Sequence, residues 1–434
     1  DGNFCMDGLV YPDRTVHTGL LEYKNVYRPA RVISYDKESG ELVLHNYMDF
    51  DDLKDYVKIS YELTQDGLVI SKGILPEFSV APHGEGKTNL KINVPENGKC
   101  YLKLIYHLKK ELPLLDEDHI LGFDEIEVSK EDTKCKLAEK WIPKTVVDSE
   151  LQVNENDTQI HIKGREFAYT IDKRTALFTE MKFAGREYLN HPMELNIWRA
   201  PTDNDMYIKS EWKKAHYDKA YTRAYTTEVV QGKHGVKITS HASVVAETVQ
   251  KILDVTITWK IEAAGKIDAD IAVTKDDEFP DLPRFGVRMF LDKKLSAVRY
   301  FGMGPQESYC DKHQAASHGL YQANVDDLHE DYIRPQENGS HYDCEYVELN
   351  NSRYGIVASA EKAFSFNASY YTQEELEKKT HNYELTESDS VVFCVDYALN
   401  GIGSNSCGPV VLEQYRFDDV LFRFQFTLIP YVKG

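Results

Sequence analysis

Short runs in which apolar and polar residues alternate, cut by glycine-centred turn signals, constrain this chain more than any other feature. Val32–Tyr35, Tyr56–Tyr61, Leu90–Val94 and Tyr101–Tyr106 repeat with a period of two, which sends successive side chains to opposite faces of a strand. Gly40, Asp66-Gly67, Gly84–Gly86 and Asn97-Gly98 fall between them as turns. From Ala30 to Val128 this spacing predicts an immunoglobulin-like sandwich. A polar, Lys/Glu-rich link follows (Ser129–Lys144), and a domain boundary is expected there. Alternation then resumes in Ile160–Gly164, Phe167–Ile171, Val236–Thr239, Val255–Trp259, Val391–Val395 and Leu421–Phe426. With no alternating long helices, this longer region predicts a large double-layer sandwich and not a barrel of βα units. Helical turns are expected only at Gly19–Val26, ended by Pro29, at Ser210–Ala220 and at Thr372–Lys379.

Composition narrows the function. A formal charge of −20 repels phosphate backbones and argues against nucleic acid, and no apolar run is long enough to span a bilayer. Seven cysteines, an odd number without metal-ligand spacing, suit a reducing, cytoplasmic setting. The chain opens Asp1-Gly2-Asn3 without an initiator methionine, so it reads as cut from a longer protein, or processed. There is no Gly-x-Ser-x-Gly elbow, no phosphate-binding P-loop and no His-Glu-x-x-His helix. His313 and His318 lack the i, i+4 spacing of a zinc pair. Asn156, Asn338, Asn350 and Asn367 head Asn-x-Ser/Thr triplets, read as chance matches unless the protein is exported in a glycosylating cell.

One stretch departs from alternation in an organised way. In Asn196-Ile197-Trp198-Arg199-Ala200-Pro201-Thr202-Asp203-Asn204-Asp205 an apolar approach runs into a proline and a polar corner. Pro201 fixes φ and removes a donor, and the acidic and amide side chains can bond their own backbone, so an ordered corner leaving a strand is expected. Three further segments share its turn-rich, polar character: Tyr300–Tyr309, Tyr332–Gly339 and Gly401–Pro409. Glu307 and Glu337 are the most tempting carboxylates in them. Each is flanked by turn formers, and each is read as fixing a loop and not as catalytic.

In their order and spacing, these segments together with Phe4-Cys5-Met6-Asp7-Gly8 resemble the C-terminal part of a bacterial β-galactosidase of glycoside hydrolase family 2, over essentially the whole chain. The resemblance implies an all-β architecture: an immunoglobulin-like sandwich followed by a galactose-mutarotase-like supersandwich, with a short remnant of a (β/α)₈ barrel at the start. The expected limits are 1–29 for the barrel remnant, 30–130 for the sandwich, 131–144 for the linker and 145–434 for the supersandwich. Retaining hydrolysis of β-galactosides such as lactose uses two carboxyl groups roughly 5–5.5 Å apart. In the family both lie on barrel strands, so no catalytic residue is assigned to this chain. The resemblance further implies a sodium site through the Phe4 carbonyl and the Asp7 side chain, and a magnesium site mainly in the barrel. Asp7 stands where relatives have asparagine; its charge either tightens the cation or pairs with Arg14. Arg199, Asp203, Asn204, Asp205 and Cys407 are implied to be adjacent to substrate. Cys407 occupies the place of a tryptophan platform for sugar, so stacking is lost or supplied elsewhere. Both a displayed and a buried thiol are compatible with its glycine-rich surroundings. Met206–Glu211 corresponds to a mobile loop in relatives but is short here. A β-galactoside ligand and a homo-oligomer are implied for the whole protein. The alternatives are a stand-alone carbohydrate-binding or assembly subunit, and a mutarotase-like protein, which would need a His with Glu or Asp as acid and base.

Overall fold

Alternation becomes antiparallel strands throughout the computed structural model, which describes residues 8–130, 135–141, 151–249, 251–403 and 405–433. Phe4 and Asp7 lie outside the described residues. The chain divides into two compact units. The smaller comprises the described residues up to Leu137 together with His313–Tyr321; the larger comprises the described residues of Ala138–Lys312 and Gln322–Gly434.

In the smaller unit, Leu68–Ile74, Val57–Gln65, Cys100–Leu108 and Ile120–Glu127 form a four-stranded sheet. Ala30–Tyr35, Glu41–Asn46 and Glu85–Asn89 form a three-stranded one. Leu42, Leu44, Leu63, Leu102, Leu104 and Tyr106 fill the space between them, as expected of an immunoglobulin-like sandwich. Gly40, Gly67 and Gly98 turn the chain with φ near +80°, a conformation that costs glycine little. Leu90–Val94, expected as a strand, forms none beyond a bond from Leu90 N to Gly40 O at 2.8 Å, and the strand lies just before it at Glu85–Asn89. Alternation reports which face is buried, and Leu90, Ile92 and Val94 do pack on the core; it does not report whether a neighbouring backbone is in reach. Gly86 likewise sits inside that strand and not in a turn. Helix Thr18–Val26 starts with the His17 ring accepting from Gly19 N at 3.0 Å. Segment 313–321 is fixed by Glu125, which accepts from His318 N and lies 2.7 Å from its Nδ1, and by a stack of His318 on Tyr101. Nothing in the sequence marks that placement.

The larger unit holds a five-stranded sheet (Gln152–Glu155, Gln159–Lys163, Phe167–Asp172, Leu177–Phe183, Arg186–Glu187) and the greater part of a twelve-stranded one. In the large sheet, Leu189–Asn196, Arg284–Asp292, Ser390–Leu399, Tyr354–Ser369 and Leu421–Val432 are consecutive neighbours. Ser390–Leu399 is apolar along most of its length and buried on both faces, as a central covered strand must be. Tyr354–Ser369 changes partner along its length. Tyr354–Ser359 pair with Leu421–Val432, and Ser365–Ser369 pair with Ser390–Leu399. The expected helix at Ser210–Ala220 is instead Ile208–Lys214 followed by a 3₁₀ turn at Tyr217–Lys219. Burial of Trp212, whose Nε1 donates to Asp281 O at 2.8 Å, sets its register.

Candidate functional site

The four turn-rich segments of the sequence converge within the larger unit, and Arg199 is their hub. Strand Leu189–Asn196 delivers the chain to the corner, where Asp205 folds back to accept from Thr202 N at 2.8 Å. The same carboxylate takes two bonds from Arg199, at 3.1 Å from Nε and 2.7 Å from Nη2. This bidentate pair is shut off from solvent, with Arg199 0% and Asp205 4% exposed. The remaining guanidinium donors reach Asn400 O at 2.5 Å and Gly401 O at 3.1 Å, so one side chain ties the corner to the Gly401–Pro409 loop. Burial opposes its charge, but Asp205, Glu337 and Asp311 together keep the guanidinium pKa above its ordinary value.

The other corner residues reach outward instead of bonding their own backbone. Asn204 Nδ2 donates to Gly403 O at 2.5 Å. Asp203 N donates to Gln336 Oε1 at 3.0 Å, Gln336 Nε2 returns a bond to Asp203, and Arg334 Nη1 lies 3.5 Å from Asp203 Oδ1. Glu337 N donates to Ala200 O at 3.0 Å. Asp311 completes the frame by accepting from Ile402 N at 3.0 Å and Gly403 N at 2.7 Å. No sequence signal marked Asp311 or Asn400, because each matters only through a backbone brought to it from far along the chain.

The two tempting glutamates sit beneath this frame. Glu307 accepts from Lys312 Nζ at 2.5 Å, from the Tyr332 hydroxyl, and from Gly339 N at 2.9 Å. Burial raises the Glu307 pKa, and Lys312 with these donors brings it below the usual carboxylate range. Glu337, by contrast, is pushed up by burial, against the pull of Arg284 and Arg199. Its Oε2 lies 3.4 Å from Arg284 Nη1, while Oε1 has no hydrogen-bond partner among the described residues. Arg284 is itself held by Asp396 through Nε and Nη2. Glu307 is therefore a loop clamp, and Glu337 a buried carboxyl beside an ion pair.

The sequence-derived site residues thus fall into two groups. Arg199 and Asp205 are withdrawn from solvent and act on the site by positioning its loops. Asp203 and Asn204 are half-buried at the corner, and Cys407 is exposed. Displayed at the surface, the Cys407 thiol follows the first of its two sequence readings. Asn338 and Asn367 are buried and bonded, Asn367 Nδ2 to Asn338 O at 2.7 Å, which leaves neither amide open to a glycan.

The family described as Beta galactosidase small chain matches residues 163–428, and Beta-galactosidase, domain 4 matches residues 42–129. A beta-galactosidase of Actinobacillus pleuropneumoniae is 44% identical over 99% of this chain, and one of Staphylococcus xylosus is 32% identical over 99%. The chain spans 41% and 42% of those relatives' own lengths. A galactose 1-epimerase structure from Lactobacillus acidophilus covers 66% of the chain with a TM-score of 0.36 and 8% identity, a likeness too slight to bear on chemistry.

Proposed function

The chain belongs to the β-galactosidase small-chain family, and on that premise we propose that it is the C-terminal, non-catalytic part of an enzyme that hydrolyses terminal β-D-galactosides with retention. Its work there is to build one rim of the sugar site. The observation that carries this reading is the Arg199 hub: one buried cation binds the carbonyls of Asn400 and Gly401 and so sets the loop that bears the exposed Cys407. A loop held this firmly from behind is preorganised for contact in front. In this reading the two catalytic carboxyl groups and magnesium belong to the barrel supplied by the rest of the enzyme. Sodium is assigned to the Phe4 carbonyl and the Asp7 side chain. The working protein is a cytoplasmic homo-oligomer.

Two measurements test the reading. The 434-residue chain is expected to turn over no chromogenic β-galactoside in magnesium and sodium; turnover that tracks the folded protein through repurification would falsify it. In the whole enzyme, Cys407→Trp is expected to change KM more than kcat, because a stacking face acts on bound sugar in ground and transition states alike. An unchanged KM, with Cys407 inert to a thiol reagent until the protein unfolds, places it away from the sugar.

A further inference from the structure

A second site lies elsewhere in the larger unit. A cavity of about 610 Å³ is bounded by Lys140 and Trp141, by Val298 and Arg299, by Gln322–Asn324 and Asp327, and by Glu348, Asn350 and Lys433. Three cations converge on it. Among the described residues none of Lys140, Arg299 and Lys433 has a carboxylate within ion-pair distance. Lys433 Nζ bonds only amide and carbonyl oxygens, those of Asn350 and Asn351. Lys140 Nζ lies over the Trp141 ring, 4.7 Å from its centroid.

The carboxylate that ought to neutralise them is engaged elsewhere. Glu348 is the cross-strand partner of Arg299 in the antiparallel register, the place where an opposite charge is most readily paired. Instead, Tyr346 OH donates to one of its oxygens at 2.5 Å and Tyr431 OH to the other. Trp141 Nε1 supports Tyr346 OH at 3.2 Å, and the Trp141 ring stacks on Tyr431 at 3.8 Å. Both Glu348 oxygens thus accept from phenols, and the Arg299 Nε donor is buried with no acceptor among the described residues. Asp327, the other acid of the lining, is turned to Asn324 N and Nδ2. A buried guanidinium nitrogen without an acceptor among the described residues is costly, and Glu348 and Asp327 offset the three cations of the lining only in part. An anion accepted by Arg299 would relieve both.

We propose that this cavity binds a phosphate-type oxyanion carried on a small polar molecule such as a sugar phosphate. Arg299 offers the planar fork that suits tetrahedral oxyanions, while Lys140 and Lys433 add mobile point charges. The cavity is larger than an inorganic phosphate fills, and the Gln322 and Asn350 amides in its wall suit hydroxyl groups beside the phosphoryl group. The site shares no residue with the Arg199 frame and stands apart from the galactoside reading.

Isothermal titration of the full chain at low ionic strength, with inorganic phosphate in one arm and glucose 6-phosphate in another, tests it. Saturable binding is expected for glucose 6-phosphate, weaker for inorganic phosphate and absent for glucose. Equal affinity for the two phosphates keeps the oxyanion site and removes the sugar contacts from it. Arg299→Gln is expected to weaken binding roughly tenfold or more, as loss of a charge-assisted contact does. Lys140→Gln and Lys433→Gln change exposed side chains, so they keep the test valid if Arg299→Gln unfolds; each is expected to weaken binding several-fold. No saturable binding of either phosphate, or affinity unchanged in both lysine variants, overturns the proposal.

Discussion

Arg199→Met is the sharpest probe of the frame that holds the candidate site. Methionine keeps much of the apolar volume and removes the guanidinium, which donates to both oxygens of Asp205, to Asn400 O and to Gly401 O and lies 5.2 Å from the Trp212 ring centroid. The individual bonds do not add, because the dominant cost is what remains. Asp205, 4% exposed, keeps its backbone donor at Thr202 but loses its counter-charge. Removing one member of a buried pair costs about 3–5 kcal/mol, a large share of the ~5–15 kcal/mol that holds a typical domain together. Urea unfolding of the chain, followed by tryptophan fluorescence, measures it in the larger unit, which holds all four tryptophans. Trp198 and Trp212 flank the corner and report on the larger unit. Arg199→Met/Asp205→Leu is the control: with both charges gone, most of the lost stability is expected to return. The amides of Ile402 and Gly403, bound to Asp311, are expected to exchange faster in the single variant. A loss under about 1 kcal/mol, the value of an exposed pair, would refute the argument that Arg199 is the hub. So would a double variant less stable than the single one.

Two further outcomes follow from the same region. Burial pushes the His341 imidazole down from 6.5 to about 4, so between these values the unfolded chain binds more protons than the folded one. His341 therefore contributes stability that is complete above pH 6.5 and lost as pH falls toward 4, about 3 kcal/mol at most. The stability difference between wild type and His341→Phe, measured by urea unfolding across that window, is expected to shrink on acidification; a flat difference rules the titration out. Gly339 has φ +69°, and a Cβ there would stand 2.4 Å from Leu328 O. Gly339→Ala is expected to cost more than the ~1–2 kcal/mol of left-handed strain alone, and a melting temperature within error of wild type contradicts the close approach.

Local pattern carried the strands, the turns at Gly40, Gly67 and Gly98, and the choice of an all-β chain, because alternation and positive-φ preferences act within a few residues. The corner at Arg199–Asp205 was legible for the same reason: proline and short polar side chains constrain their own backbone. Its partners were not. Arg199 bonds Asn400 and Gly401, Asp203 bonds Gln336, and Glu307 bonds Gly339, each across a long stretch of chain. Which loop a buried arginine holds depends on the strand order of a twelve-stranded sheet, and strand order is decided by packing over the whole unit. Leu90–Val94 marks the same limit from the other side, for its sequence set the buried face while only a neighbouring backbone could make it a strand. The Arg299 Nε, without an acceptor among the described residues, is likewise a tertiary result. Its sequence offers a cross-strand glutamate, and two tyrosines from other positions take that glutamate away.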